Sequence, residues 1–219
     1  MKTHTETEEN YLKCIWRNSN GEDLVSTNTI AYDLGTSAAS VSDMIKKLHD
    51  KELIHYKKRK GVRLTESGTK VALKILRKHR LWEVFLVEKL QFSWDNVHDI
   101  AEQLEHINSP ELIRQLDVFL GFPKFDPHGD PIPNEEGEMA ELNTEPLASI
   151  PEGETATIVS VKRSDQEFLQ YLDRVGLTIG TEVQLVEKLS FDDSLQLSLQ
   201  QQKMVVSGTV GDNLLVVRN

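Results

Sequence analysis

The sequence predicts a multi-domain α+β protein: a winged helix-turn-helix domain, then an all-α segment, then a small β-barrel. Three observations predict it. Apolar residues recur at helical spacing as far as residue 120, five short strand-like runs follow residue 154, and charge divides sharply between the two ends. The length of 219 residues exceeds the usual size of one small domain.

The net charge of −10 taken alone argues against nucleic acid. The average conceals 16 Lys/Arg against 10 Asp/Glu in residues 1–80, a charge of +6, and 9 against 25 thereafter, a charge of −16. A basic head on an acidic body fits DNA binding by the head, although unevenly spread solvated surface produces the same count. No apolar run reaches membrane-spanning length, and Glu6, Glu8 and Glu9 near the start do not suit a signal peptide, so a cytoplasmic protein with no membrane partner is expected. The single cysteine, Cys14, excludes an intramolecular disulfide and has the apolar neighbours of a buried thiol.

Thr7 is expected to cap a first helix carrying Tyr11, Leu12, Ile15 and Trp16, ended by the turn Asn18-Ser19-Asn20-Gly21. Ser26 to Leu34 reads as a second helix, broken by Gly35, and Ser37 opens a third with Val41, Met44, Ile45 and Leu48 on one side. Leu53 to Tyr56 and Val62 to Leu64 read as strands flanking a basic turn, the wing. Thr65 then caps a long amphipathic helix to about Leu90, Asp95 caps another to about Ile107, and Pro110 starts a third that Gly121 and Pro123 stop. These helices are expected to form a homodimer surface. Phe122 to Pro151, rich in Pro, Gly and acids, reads as linker. Beyond it, Thr155–Val161, Glu182–Leu189, Leu195–Leu199, Met204–Ser207 and Leu214–Val217 read as strands that close a small barrel. The expected division is a DNA-binding domain over 1–65, a helical domain over 66–123, a linker over 124–146 and the barrel over 147–219.

A recognition helix needs small or hydrogen-bonding residues on its leading turns and cations nearby for phosphates. Ser37, Ala39, Ser40 and Ser42 occupy the leading turns, Lys46 and Lys47 follow, and the wing adds Lys57, Lys58, Arg59 and Lys60. Each feature alone is more often solvated surface; in this order they favour double-stranded DNA. Asp43 stands among them without an assigned partner.

On the helix expected from Asp95, His98, Glu102, Glu105 and His106 share a strip about 100° wide beside the apolar face. His79 and Glu83 repeat the one-turn spacing on the preceding helix. Such pairs can chelate a divalent ion at little ordering cost, although Glu and His at these spacings usually form a solvated face. The sequence contains no glycine-rich phosphate loop, nucleophile elbow or His-Glu-x-x-His run, so an enzyme is not expected.

Several segments together resemble the diphtheria-toxin-repressor family of iron- and manganese-dependent regulators, along essentially the whole chain. They are Thr7-Glu8-Glu9-Asn10-Tyr11-Leu12, Leu64-Thr65-Glu66-Ser67-Gly68, Arg77-Lys78-His79-Arg80-Leu81, Val97-His98-Asp99 through Glu105-His106, and Pro127-His128-Gly129-Asp130-Pro131-Ile132-Pro133. The resemblance implies a metal-dependent repressor that binds a palindromic operator as a homodimer and controls metal-uptake genes, with an SH3-like barrel similar to that of iron-transport accessory proteins. It implies a primary metal site of Glu102, Glu105, His106 and Asn10, where relatives tend to carry Met or Asp in place of Asn10, so that Glu9, a water or a carbonyl would complete the shell. It implies an ancillary site of His79, Glu83 and His98 with Asp126 and His128, and with Asp165 or Glu167 from the barrel. A donor set of oxygen and nitrogen alone suits manganese(II) first and iron(II) second. A winged-helix regulator answering to a non-metal ligand is the competing reading of the N-terminal part.

Overall fold

The computed structural model describes residues 4–19, 23–200 and 202–219, so Asn20 and Gly21 of the expected turn lie outside the described residues. The chain forms two compact units. The first comprises the chain up to His79 together with Gln103–Ser109 and Pro133–Glu138; the second comprises Arg80–Glu102, Pro110–Ile132 and Met139–Asn219.

In the first unit α1 (Glu6–Asn18), α2 (Thr27–Asp33) and α3 (Ala38–Asp50) precede a hairpin of β1 (Ile54–Lys57) and β2 (Gly61–Leu64). α1 is capped by Thr5, not by the expected Thr7. Thr5-Glu6-Thr7-Glu8 satisfies the reciprocal box in which the threonine oxygen accepts from the Glu8 amide and the Glu8 carboxylate accepts from the Thr5 amide. Starting from Thr7, the partner position falls on Asn10, which cannot complete that box as a Glu or Gln would. Ser26 and Ser37 cap α2 and α3 through the amides of Thr29 and Ser40, as their place before each apolar run predicts. Leu12, Ile15, Ile30, Val41, Leu48 and Ile54 bury together as the core of the helix-turn-helix. Val25 pairs with Val62 beside the hairpin, and Gly61 sits at this crossing with φ +129°.

The long helix α4 (Glu66–Glu88) follows, then α5 (His98–Leu104) and α6 (Pro110–Leu120). Asp95 does not cap α5. Its carboxylate accepts from Ser93 and from Gln170 instead, and the helix begins three residues later. α5 also ends early, at Leu104, so Glu105 and His106 lie in the turn beyond it and not on a helical strip with His98 and Glu102.

In the second unit, β3 (Glu145–Pro146), β4 (Thr155–Val161), β5 (Glu182–Leu189), β6 (Ser194–Leu199), β7 (Gln202–Val206) and β8 (Leu214–Arg218) form a six-stranded antiparallel sheet in the order β3-β8-β4-β5-β6-β7. β3 falls inside the segment expected as linker. A 3-10 turn (Leu147–Ser149), α7 (Gln166–Val175) and α8 (Gly208–Asn213) complete this small SH3-like domain around Ile158, Leu169, Leu172, Val183, Leu197 and Val216. Sequence reading missed α7, though its signals were present: Asp165 as cap, Leu169 and Leu172 on one side, and Gly176 in the left-handed conformation at the end. Residues 124–132 are likewise no slack connection. Phe125 pairs with Pro131, and the Asp126 carboxylate accepts from the amides of His128 and Asp130.

A Cβ at Gly61 would lie 2.4 Å from the Val25 carbonyl oxygen, whereas one at Gly35, φ +57°, would meet nothing within 4 Å. Gly35→Ala is therefore expected to cost about 1 kcal/mol of backbone strain. Gly61→Ala should cost clearly more, because about 1–3 kcal/mol of strain is joined by a backbone clash. Urea unfolding of the two variants checks the order.

Candidate metal centre

Within the first unit the site is organised by Glu105, which is fully buried. Lys13 Nζ of α1 lies 2.7 Å from Oε1 and 2.8 Å from Oε2, and His79 Nδ1 of α4 lies 2.6 Å from Oε2. Burial works against the charge of Glu105, but the His79 hydrogen bond and the Lys13 charge more than offset it and hold the carboxyl below its usual range. Next along the chain, His106 Nδ1 lies 2.7 Å from Glu9 Oε2. A carboxylate that is ionised can only accept, so Nδ1 carries the hydrogen that bonds Glu9, and Nε2 lies 3.7 Å from Glu105 Oε1. Glu9, not Asn10, is thus the α1 residue that meets His106; Asn10 is half-buried one position further along α1.

The residue before Glu9 faces the other way. Glu8 is fully buried, and its Oε1 lies 2.9 Å from Lys47 Nζ and 2.7 Å from Lys51 Nζ at the end of α3. Burial raises its pKa, yet the hydrogen bonds from Lys51, Lys47 and the Thr5 amide prevail and bring it down to about 2. Lys47, expected as a phosphate contact, is therefore also the tie between the recognition helix and α1. Lys46 pairs with Asp43 at 3.2 Å, which gives Asp43 a partner on its own helix. Ser37, Ala39, Ser40 and Ser42 are exposed; Ser37 and Ser40 share a hydroxyl contact of 2.9 Å, and Ser42 donates to the Ala38 carbonyl. Lys57, Lys58, Arg59 and Lys60 are all exposed, with Arg59 in the left-handed conformation at the wing tip.

Within the second unit Glu83, Asp126 and His128 are buried, and one ligand atom from each lies within 4.8 Å of the others. His98 Nδ1 lies 3.3 Å from Glu83 Oε1, and its Nε2 lies 3.5 Å from Glu102 Oε1, where Glu102 is about half exposed. Burial, then the negative charges of Glu83 and Asp130, push Asp126 well above the usual carboxylate range, against the pull of Arg80, whose Nε is 3.3 Å away. Two crowded, water-excluded carboxylates beside imidazoles fit a divalent cation, which relieves their repulsion with hard or borderline donors only. Asp165 and Glu167 are not among these residues. Asp165 accepts from the Phe168 amide as the cap of α7 and pairs with Arg163 at 2.8 Å, and Glu167 is exposed on α7. Cys14 is buried in the helix-turn-helix core, its thiol pushed up to about 12 by burial and then by Asp33.

Reading residue types along the chain did not find Lys13 beside Glu105 or Arg80 beside Asp126, since ion pairs far apart in the sequence leave no local pattern. Because Glu105 answers two cationic or donor groups, Glu105→Ala is expected to destabilise the first unit by about 3–5 kcal/mol in urea unfolding, with Glu105→Gln losing less. Equal, small losses for both would mean that the pair contributes little. The Glu8 contribution is fully present above pH 4.5, its ordinary value, and is lost as pH falls through about 2. Glu8→Gln should accordingly flatten the loss of stability between those limits, measured by circular dichroism.

Comparison with known proteins agrees along the chain. The profile "Iron dependent repressor, N-terminal DNA binding domain" matches residues 3–62, "Iron dependent repressor, metal binding and dimerisation domain" matches 65–134, and "FeoA domain" matches 145–218. The diphtheria toxin repressor of Corynebacterium glutamicum is 31% identical over 199 residues, covering 86% of this chain and 87% of its own. That of Corynebacterium efficiens is 29% identical over 198 residues, with 86% of each chain covered. A solved structure described as a manganese-dependent transcriptional repressor in complex with manganese superposes with a TM-score of 0.87 at 33% identity, covering 97% of this chain and all of that one. Matched along its length in this way, the chain belongs to the diphtheria toxin repressor family of metal-dependent, DNA-binding transcriptional repressors.

Proposed function

We propose that this repressor answers to manganese(II), with iron(II) as the alternative ion, and silences metal-uptake genes in the cytoplasm as a homodimer on a palindromic operator. The observation that carries this reading is the buried group of Glu83, Asp126 and His128 with His98 beside it, two carboxylates and two imidazoles without sulfur. The only thiol is buried in another core and held protonated, which disfavours the softer ions. The manganese complex of the similar solved structure points the same way.

In this reading Glu83, His98, Asp126 and His128 hold the ancillary ion, with His79 one helical turn before Glu83. Glu105, His106 and Asn10 hold the primary ion, with Glu102 three residues before Glu105 in the chain and Glu9 beside Asn10. A bound dication supplies positive charge that carboxylates and neutral imidazoles can share. His106 offers Nε2 because Glu9 keeps the hydrogen on Nδ1. Glu9 and Lys13 on α1 join the 103–109 turn, and Glu8 joins α1 to α3, so the ligand turn and the recognition helix share one lever. Nothing in this arrangement calls for catalysis, and we assign no enzyme activity.

Glu102→Ala and His106→Ala are expected to abolish manganese-stimulated binding to the protein's own promoter, read by fluorescence anisotropy. Operator binding that still requires added manganese in both variants sinks the primary-site assignment, and binding indifferent to metal in the wild type returns the chain to a regulator with another signal. A pH dependence follows as well. Hydrogen bonds to Glu102 and then Glu83 hold His98 up to about 9 against its burial. That proton stabilises the folded chain fully below pH 6.5 and ceases to do so as pH rises through about 9. A ligand imidazole must give the proton up, so ancillary manganese affinity should rise by about tenfold per pH unit between roughly pH 7 and 9. His98→Ala should remove that slope in calorimetric titrations.

A further inference from the structure

We propose that the barrel domain serves the ancillary metal centre as a positioning scaffold: Asp173 of α7 fixes Trp94, and Trp94 fixes His128 with its Nδ1 toward Glu83 and Asp126. This rests on the reading of Glu83, His98, Asp126 and His128 as ligands. His128 Nε2 lies 2.8 Å from the Trp94 carbonyl oxygen. A carbonyl can only accept, so Nε2 carries the hydrogen, and Nδ1, 3.9 Å from Glu83 Oε2 and 4.0 Å from Asp126 Oδ1, is the nitrogen that would meet an ion held there. The Trp94 and His128 rings stack at 5.9 Å between centroids and 20° between planes, which fixes the imidazole plane as well as its tautomer.

Trp94 is in turn held by the barrel. Its Nε1 donates to both carboxylate oxygens of Asp173 at 3.0 Å, and its ring packs against the barrel core. The two residues after it are held from the same helix: Asp95 accepts from Gln170 at 2.9 Å and Asn96 from Gln166 at 2.6 Å. Positions 166, 170 and 173 are spaced by four and three, one face of α7, so three successive loop residues are matched to one helix face. The other side of His128 lies on β4. Its carbonyl accepts from the Val161 amide at 3.1 Å, and a Cβ at Gly129 would lie 2.0 Å from the Val159 carbonyl oxygen, so that only glycine lets the loop seat there. The barrel thereby controls where His128 stands, and the partners that orient a metal-bound histidine commonly set ten- to a hundredfold in affinity.

The test uses the full-length protein. Long-range proton–nitrogen NMR of the chelator-stripped wild type should show His128 in the single Nε2–H tautomer. Asp173→Ala removes the acceptor and Trp94→Phe keeps a stacking ring without the N–H. Both should mix the tautomers and weaken the ancillary manganese site about ten- to a hundredfold in calorimetry while the primary site is unchanged. Asp173→Asn, which retains an acceptor oxygen, should restore both readouts. Wild-type tautomer and affinity in both Asp173→Ala and Trp94→Phe overturn the proposal, and should Asp173→Ala fail to fold by circular dichroism, Trp94→Phe alone decides. Failure of the metal-sensing reading looks different: the wild type itself would take up no manganese at Glu83 and His128, and this proposal would fall with it.

Discussion

A carboxylate removed from water must find positive charge or give up its own, and Glu105 is such a group at zero exposure. Its answer is Lys13 from α1 and His79 from α4, drawn from positions 92 and 26 residues away. The turn after α5 is consequently not free to move without disturbing the first helix. Glu9 repeats the bond one step further, to His106, and Glu8 faces away toward Lys47 and Lys51. Two adjacent residues of α1 therefore link the turn of Glu105 and His106 on one side and α3 on the other. Removing one partner of a buried pair costs far more than a surface pair is worth, which makes these links stiff.

The second unit handles the same problem with the opposite sign of excess. Glu83 and Asp126 crowd each other, and Arg80 with the amides of His128 and Asp130 only partly relieves Asp126. The 126–130 loop is ordered by its own side chain: one Asp126 oxygen accepts two amides and so turns His128 inward. Its rigidity comes from these bonds and from the glycine that lets it lie on β4. Excess negative charge in a preformed, water-poor setting is what a divalent ion stabilises best.

Much of this was legible in the sequence, and the limits have physical causes. Ser26 and Ser37 could be read as caps because a side-chain oxygen before an apolar run acts locally. Thr5 was missed because Thr7 satisfies the same rule unless Glu8 is counted as the reciprocal partner. The strip of His98, Glu102, Glu105 and His106 assumed one helix, and the helix ends at Leu104. Glu105 therefore turns inward, whereas Glu102 stays half exposed. The Pro- and Gly-rich composition of 124–132 suggested a linker because composition reports how a backbone bends and not what its side chains bond. Asp165 and Glu167 entered through the resemblance and not through any local pattern, and Asp165 also caps α7, an element the apolar spacing of Leu169 and Leu172 announces.

The ties of α1 also bound what a metal signal has to do. His106 already has its Nδ1 hydrogen bonded to Glu9, so an ion accepting Nε2 need not break that bond and gains a donor whose orientation is paid for in advance. Glu105 differs, because Lys13 already lies within 2.8 Å of both its oxygens, and a dication there must share or displace an ammonium. On the proposed primary site, the net effect of metal would thus be a difference between two ways of neutralising one carboxylate, smaller than either alone. Differences of a few kcal/mol are what a two-state regulator needs, since about 5.5 kcal/mol carries an equilibrium from 1:99 to 99:1. A site built on bare carboxylates would bind the ion more tightly yet leave the metal-free turn with unanswered buried charge. Lys13 supplies that answer to the buried Glu105 charge from α1.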